Sequence, residues 1–287
     1  MTRLTSIALL GACVLCALPS PAAQAQEALN MDAATQPSPG VIYLYERARY
    51  TRYGGSPHEP DPGEPRSDRT NLLELDTTIM AGLTTNLALI ATIPIERRED
   101  RASGESIDTD LGVADPELLF KYRLYKSDSG SLDTLRIAAL IGAEVPSGDG
   151  NFTSGSVDPI VGAALTMIRG RHGFNAAGRF KLNTGGDASG NLGGDGPDDA
   201  LRLDGSYLFR LAPGTWAADS DAALYAVAEI NSLYETGGDT EILFAPGLLL
   251  EGRTWAGEIG ARIPVYEDVD ERPEVEWGFV VGVRFFF

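Results

Sequence analysis

The chain has 287 residues, 43% of them hydrophobic, and a formal charge of −18. That length allows one large domain or two small ones, and that acidity argues against nucleic acid, whose phosphates need Lys and Arg for neutralisation. Beyond the first twenty residues no stretch stays apolar for the 18 or more residues of a membrane helix; membrane strands escape that exclusion, because their alternating faces keep the mean hydropathy near neutral.

At the N-terminus Arg3 precedes an apolar stretch from Ile7 to Leu18, and Ala23-Gln24-Ala25 supplies a small-x-small cleavage pattern. Residues 1–25 are therefore read as a signal peptide for export. Leu10-Gly11-Ala12-Cys13 resembles a lipoprotein processing site, but the apolar stretch runs past it and a better cleavage pattern follows. Both cysteines, Cys13 and Cys16, fall in this leader, so disulfides, thiolate metal sites and a cysteine nucleophile drop out together. Residues 26–40 form a polar, Pro-containing lead-in on the periplasmic side, either a plug for the lumen or a disordered segment.

From residue 41 the dominant signal is a two-residue period. Leu73, Leu75, Thr77, Ile79 and Ala81 fall on one face, with Glu74, Asp76 and Thr78 on the other. Leu135 to Val145, Leu201 to Leu211 and Trp255 to Val265 repeat the split. The period predicts strands over 41–53, 70–81, 86–97, 113–125, 134–146, 157–168, 174–183, 200–211, 221–231, 240–251, 255–266 and 275–287. Such lengths suit strands tilted across a membrane. Polar connections at 54–69, 98–112, 147–156 and 184–199 alternate with shorter ones at 82–85 and 169–173. Extracellular loops and periplasmic turns alternate in this way in outer-membrane barrels. The fold expected is an all-β, transmembrane antiparallel up-and-down barrel of about twelve strands over residues 41–287.

The last predicted strand carries Trp277, Phe279, Val281, Val283, Phe285 and Phe287 on one face, putting aromatics at the membrane interface. It also resembles the C-terminal signal read by the outer-membrane assembly machinery, which is thereby an expected partner along with outer-membrane lipid.

Two further stretches carry a family resemblance. One is Leu111-Gly112-Val113-Ala114-Asp115-Pro116-Glu117-Leu118, running into Lys121-Tyr122-Arg123. The other is Val145-Pro146-Ser147-Gly148-Asp149-Gly150, continuing through Ser154-Gly155-Ser156 to Val157-Asp158-Pro159-Ile160-Val161-Gly162. Both resemble patterns of the MetA-pathway of phenol degradation family of outer-membrane proteins, and the likeness spans residues 40–287. The resemblance implies a barrel that moves aromatic or other hydrophobic compounds, and it brings no catalytic residues with it.

If the apolar faces meet lipid, parity turns the charged residues inward. The candidate lumen lining and solute path is Glu74, Asp76, Glu96, Asp115, Glu117, Lys121, Arg123, Arg136, Glu144, Asp158, Arg179, Arg202, Glu258 and Arg262. Lys181, Asp204, Arg210, Glu229, Glu241, Glu276 and Arg284 are also placed inward. Mixed signs disfavour strong anion or cation selection. Glu96, Asp115, Glu117, Glu144 and Asp158 are expected near the outer mouth, either attracting cations or serving as a salt-bridge ladder, the reading favoured here. Pro94, Pro116, Pro146 and Pro159 are read as strand ends at the rim; Pro246 and Pro264 suit bulges.

Enzyme signals are weak. His58 and His172 lie in connections on opposite sides of the membrane, so neither a His metal cluster nor a Ser–His pair is easily built. The acidic Asp198-Asp199 and Glu267-Asp268-Val269-Asp270 lack a recognised calcium-ligand spacing. The sequence thus points to a non-enzymatic channel or transporter for passive uptake of small molecules, with no cofactor and no metal. A structural or adhesive barrel with an occluded lumen is the main rival, and an outer-membrane hydrolase comes third.

Overall fold

The computed structural model describes residues 28–55, 67–129, 133–185, 192–216 and 220–287. The expected leader and His58 lie outside the described residues. The strands are β1 (Ile42–Gly54), β2 (Arg69–Gly82), β3 (Leu87–Ala102), β4 (Glu105–Val113), β5 (Glu117–Ser129), β6 (Asp133–Glu144) and β7 (Asp158–Arg169). They continue as β8 (His172–Lys181), β9 (Ala200–Ala212), β10 (Ala222–Glu235), β11 (Thr240–Gly252), β12 (Trp255–Asp268) and β13 (Val275–Phe286). Pairing is antiparallel throughout, and β1 pairs with β13 to close the sheet. Because β3 pairs with β5 from Leu87 to Thr92 and with β4 from Ile95 to Ala102, β4 and β5 share one position in the wall. The result is a closed barrel of twelve staves, as the alternation predicts.

Residues 98–112 depart from expectation. They extend β3 and form β4, turning at Ser103 and Gly104, rather than a loop. Six of the nine residues of β4 are exposed, so neither face of this hairpin is apolar enough to announce itself by period. The stave then breaks at Ala114–Pro116, where the Ala114 N–H donates to the Pro94 carbonyl at 3.0 Å. Pro94 thus marks the point where β3 changes partner. Pro264 sits at a register shift between β11 and β12, and Pro246 where their pairing lapses.

The outer surface is an apolar belt. Leu73, Leu75, Ile79, Leu118, Phe120, Ile141, Leu203, Ile259 and Ile263 are all exposed on it, an area of hydrocarbon that water disfavours and lipid accepts. Trp277, Phe279, Val281, Val283, Phe285 and Phe287 belong to it. Tyr50 packs against Trp277 and Phe279 there, with ring centroids 5.4 and 5.3 Å apart. One parity assignment fails. The register shift between Arg52 and Tyr53 makes Glu276 an extra residue in β13, and it pairs with Arg52 instead of entering the lumen.

The interior divides by height. Near the periplasmic end it is apolar, with Tyr43, Tyr45, Met80, Ile90, Leu119, Leu140 and Ile160 in one cluster and Leu208, Tyr225, Val227, Leu249 and Val280 in another. The outer half is rich in charge around a smaller apolar cluster of Tyr53, Leu72, Leu243 and Val275.

Candidate functional site

The lower interior contains part of the chain itself. Residues 28–37, the described part of the lead-in, run inside the barrel, and most of them are buried. This segment joins no ladder, so its backbone polar groups must find other partners. Side chains of the wall supply them. The Glu229 carboxylate, itself fully buried, accepts the N–H groups of Leu29 and Asn30, each at 2.8 Å. Thr166 Oγ1 accepts from Ala34 N at 2.9 Å, and Lys121 Nζ donates to the carbonyls of Ala33 at 2.8 Å and Thr35 at 3.3 Å. Arg284 donates to the Ala28 carbonyl at 2.7 Å. Asp32 lies 3.5 Å from Arg179. Leu29 occupies a notch that Gly247 and Gly260 leave open: a Cβ on Gly260 would stand 2.7 Å from Leu29 Cδ1. Ala34 packs among Ala138, Ala164 and Ala177.

Above this segment lies a cavity of about 810 Å³. Its floor includes Asn30, Met31, Asp32 and Ala33, and its rim includes the loop residues Gly150–Ser154 and Leu192–Gly193. Glu74, Asp76, Glu96, Asp115, Glu117, Lys121, Glu144, Arg179, Arg202 and Arg262 all line it. Arg123 and Arg136 do not; near the periplasmic end they bond the Thr85 carbonyl at 2.8 Å and Thr134 Oγ1 at 3.2 Å.

Most lining charges are paired. Arg49 bridges Glu74 and Asp76 on the neighbouring β2. Arg179 binds Glu117, and Lys181 lies 3.3 Å from Glu144 and 2.5 Å from Asp195. Both Arg179 and Lys181 stand on β8 while their carboxylates stand on β5 and β6, so these pairs brace strands that do not touch. Lower in the wall, buried Glu258 takes Arg47 at 2.8 Å and also Arg284. Arg262 donates to Thr51 Oγ1 at 2.8 Å, and Arg202 to the Gly193 carbonyl at 3.2 Å. Glu96 has no hydrogen-bond or ion-pair partner among the described residues, and Asp76 keeps Oδ1 buried and unbonded.

Asp115 and Asp158 serve the rim. Asp115 Oδ1 accepts from the N–H groups of Ser147 and Gly148 at 3.0 and 2.8 Å, and Oδ2 from Ser154 N at 2.7 Å and from the Thr153 and Ser154 hydroxyls. Asp158 Oδ1 accepts from Ser156 Oγ and Thr184 N, both at 2.8 Å. The two stretches that carried the family resemblance therefore clasp each other: the Asp-Pro turn of one holds the Pro-Ser-Gly loop of the other. Across the rim, Arg272 is fully buried and ties Glu235 at 2.7 Å to Glu241 at 3.0 Å. Of the five acids expected at the mouth, Glu117 and Glu144 are in ion pairs, Asp115 and Asp158 hold loop N–H and hydroxyl groups, and Glu96 stands apart from both.

Parity of the charged residues missed the Leu29 notch and the apolar lower lumen; of the two alternatives for the lead-in, a plug or a disordered segment, the described residues 28–37 match the plug. A sequence clue to the notch was available in Gly247 and Gly260, glycines within strands, which mark close approach of another group. His172 stands on β8 with Nδ1 2.7 Å from the Tyr207 hydroxyl, in a patch with Phe174 and Phe209.

No family model matches the chain, and no curated protein matches it either. Among solved structures the chain is similar to an outer-membrane channel from Pseudomonas putida F1, with 12% identity and a TM-score of 0.58 over 91% of this chain and 100% of that one. It is also similar to the β domain of the Bordetella autotransporter BrkA, with 12% identity and a TM-score of 0.50 over 86% of this chain and 100% of that one. What these share with the chain is the fold, that of outer-membrane barrels.

Proposed function

We propose that the protein is a channel of the Gram-negative outer membrane that takes up small solutes passively and is closed at mid-lumen by its own N-terminal segment. The observation that carries this is the cavity of about 810 Å³ resting on residues 30–33, a volume in the range of small-molecule sites. Its wall of ion pairs and buried polar groups favours solutes that carry charge or a strong dipole over neutral hydrocarbons. Within the aromatic compounds that the motif resemblance suggests, aromatic acids therefore fit better than phenols. Arg98, whose guanidinium lies 5.9 Å from the Phe152 ring centroid at the cavity edge, offers both a charge and a flat face. The outward face of β13 remains our candidate for contact with the assembly machinery and with lipid.

Single-channel conductance of the refolded protein in a planar bilayer tests the reading. The full chain should be mostly closed, and a variant lacking residues 28–36 should conduct steadily and be blocked by a simple aromatic acid more than by phenol. A folded deletion variant that never conducts leaves the structural rival, which the braces Arg179–Glu117 and Lys181–Glu144 favour.

A further inference from the structure

The way the resident segment is held says more than that it blocks the lumen. Its contacts with the wall fall mainly on its main chain: the N–H groups of Leu29, Asn30 and Ala34, and the carbonyls of Ala28, Ala33 and Thr35. Side-chain identity contributes little at several positions. Both polar atoms of the Asn30 carboxamide are buried without a hydrogen-bond partner, and Gln36 bonds the wall only weakly, through Nε2 to the Thr85 carbonyl at 3.3 Å. A groove that reads main-chain groups is indifferent to most of a peptide's sequence, as in recognition by strand addition, with specificity left to a few side-chain notches. Here the notch at Gly247 and Gly260 takes an aliphatic side chain, and the alanines around Ala34 admit only a small one.

We propose that the lower lumen is a binding site for short extended peptides, and that residues 28–36 are its resident occupant. This rests on the channel reading, because it makes peptides a solute class met on the transit path. Glu229 and Lys121 are the main readers. Each is almost wholly buried and bonds the segment's backbone, Glu229 sharing its carboxylate with Asn231 as well. Withdrawal of the segment takes two N–H donors from the buried Glu229 carboxylate. That deficit favours any molecule presenting consecutive N–H groups and carbonyls at the same spacing.

The test uses the full chain with Leu29→Asp, which puts a charge into the notch beside Glu229 and expels the segment; folding is checked by heat-modifiable gel migration. A second variant lacking residues 28–36 guards against a segment that stays in place. The probes are three acetylated nine-residue peptides. One has the sequence of residues 28–36, ALNMDAATQ. One is shuffled but keeps Leu at its second position and Ala at its seventh. One is the first peptide N-methylated at Leu, Asn and that Ala. Binding is followed by titration calorimetry and, separately, by block of conductance.

The native and shuffled peptides should bind within about threefold of each other, and N-methylation should weaken binding by more than about tenfold. Binding restricted to the native sequence, or indifference to N-methylation, overturns the proposal, as does no binding to either folded variant. A barrel that conducts without binding peptide keeps the channel reading and loses this one. A barrel that binds peptide without conducting keeps the site and loses the channel.

Discussion

The two halves of the lumen are held together by different chemistry. In the outer half, side chain binds side chain: Arg49 with Glu74 and Asp76, Arg179 with Glu117, Lys181 with Glu144, Arg272 with Glu235 and Glu241. In the lower half, side chains of the wall mainly bind backbone groups of one extended segment, Glu258 with Arg47 and Arg284 forming an ion-paired group there, while apolar residues fill the space around it. Removing one member of a buried ion pair strands the other, so the outer half resists piecemeal change. The lower contacts are separate hydrogen bonds, about 1 kcal/mol net for the neutral one from Ala34 to Thr166 and about 1.5–3 kcal/mol for each one to Glu229, Lys121 or Arg284. On the proposed channel reading, that contrast makes a rigid chamber above a releasable stopper.

The sharpest way to break it is at Arg272. Burial by itself would lower the pKa of this guanidinium, but attraction from Glu241 and its hydrogen bond with Glu235 raise it above its ordinary value, so it stays charged. Arg272→Met leaves Glu235 and Glu241 buried without their cation, and about 3–5 kcal/mol of stability should be lost. Equilibrium urea unfolding in detergent measures this. A loss below about 1 kcal/mol would mean that the rim pairs behave like exposed ones, and the two halves would not differ.

Next comes the clasp. In Asp115→Asn one acceptor oxygen becomes a donor facing the N–H groups of Ser147 and Gly148 or of Ser154. The expected cost is about 1–3 kcal/mol. The 147–154 loop should become sensitive to limited proteolysis while the conductance of the closed channel stays the same. Faster opening instead would show that the rim and the stopper are coupled.

How much of this was visible in the sequence depends on which residues had a period to betray them. Staves with one lipid face and one lumen face were legible, down to the inward Glu74, Glu117 and Arg179. β4 was not, because its residues are mostly exposed on both faces and alternation carries little energy there. The lower lumen was not, because inward Tyr43, Leu119, Leu140 and Leu208 are as apolar as the lipid face, so charge could not mark the interior. Residues 28–37 form no ladder and have no period at all. That Lys121 points inward followed from parity; that it holds Ala33 and Thr35, distant in sequence, needed the fold.

The lower half can be loosened without touching its hydrogen bonds. Gly260→Ala places a methyl 2.7 Å from Leu29 Cδ1 and 3.2 Å from the Pro246 carbonyl. The flexible leucine end yields first, so the notch closes to Leu29 at a strain of about 1–3 kcal/mol. More frequent openings in single-channel records, with unfolding midpoint little changed, are the expected result. A lowered midpoint with no gain in openings would place the strain in the wall and make Leu29 incidental.

The smallest expected effect falls on Thr166. Its Oγ1 accepts from Ala34 N at 2.9 Å and donates to Asn175 Oδ1 at 2.7 Å. Thr166→Val keeps the volume and removes both bonds, so about 1 kcal/mol should go from the segment's hold, roughly a fivefold rise in the released fraction. Amide hydrogen exchange at Ala34 reads that change directly, and exchange at Leu29, anchored by Glu229 on the far wall, supplies the control. Faster exchange at Ala34 alone would mean the segment frays from its C-terminal side one bond at a time. Equal acceleration at both would mean it leaves as a unit, so that any single anchor sets the opening frequency of the whole stopper. Unchanged exchange at both would put the hold in the alanine packing and the Leu29 notch, and would take the hydrogen bonds out of the gating account.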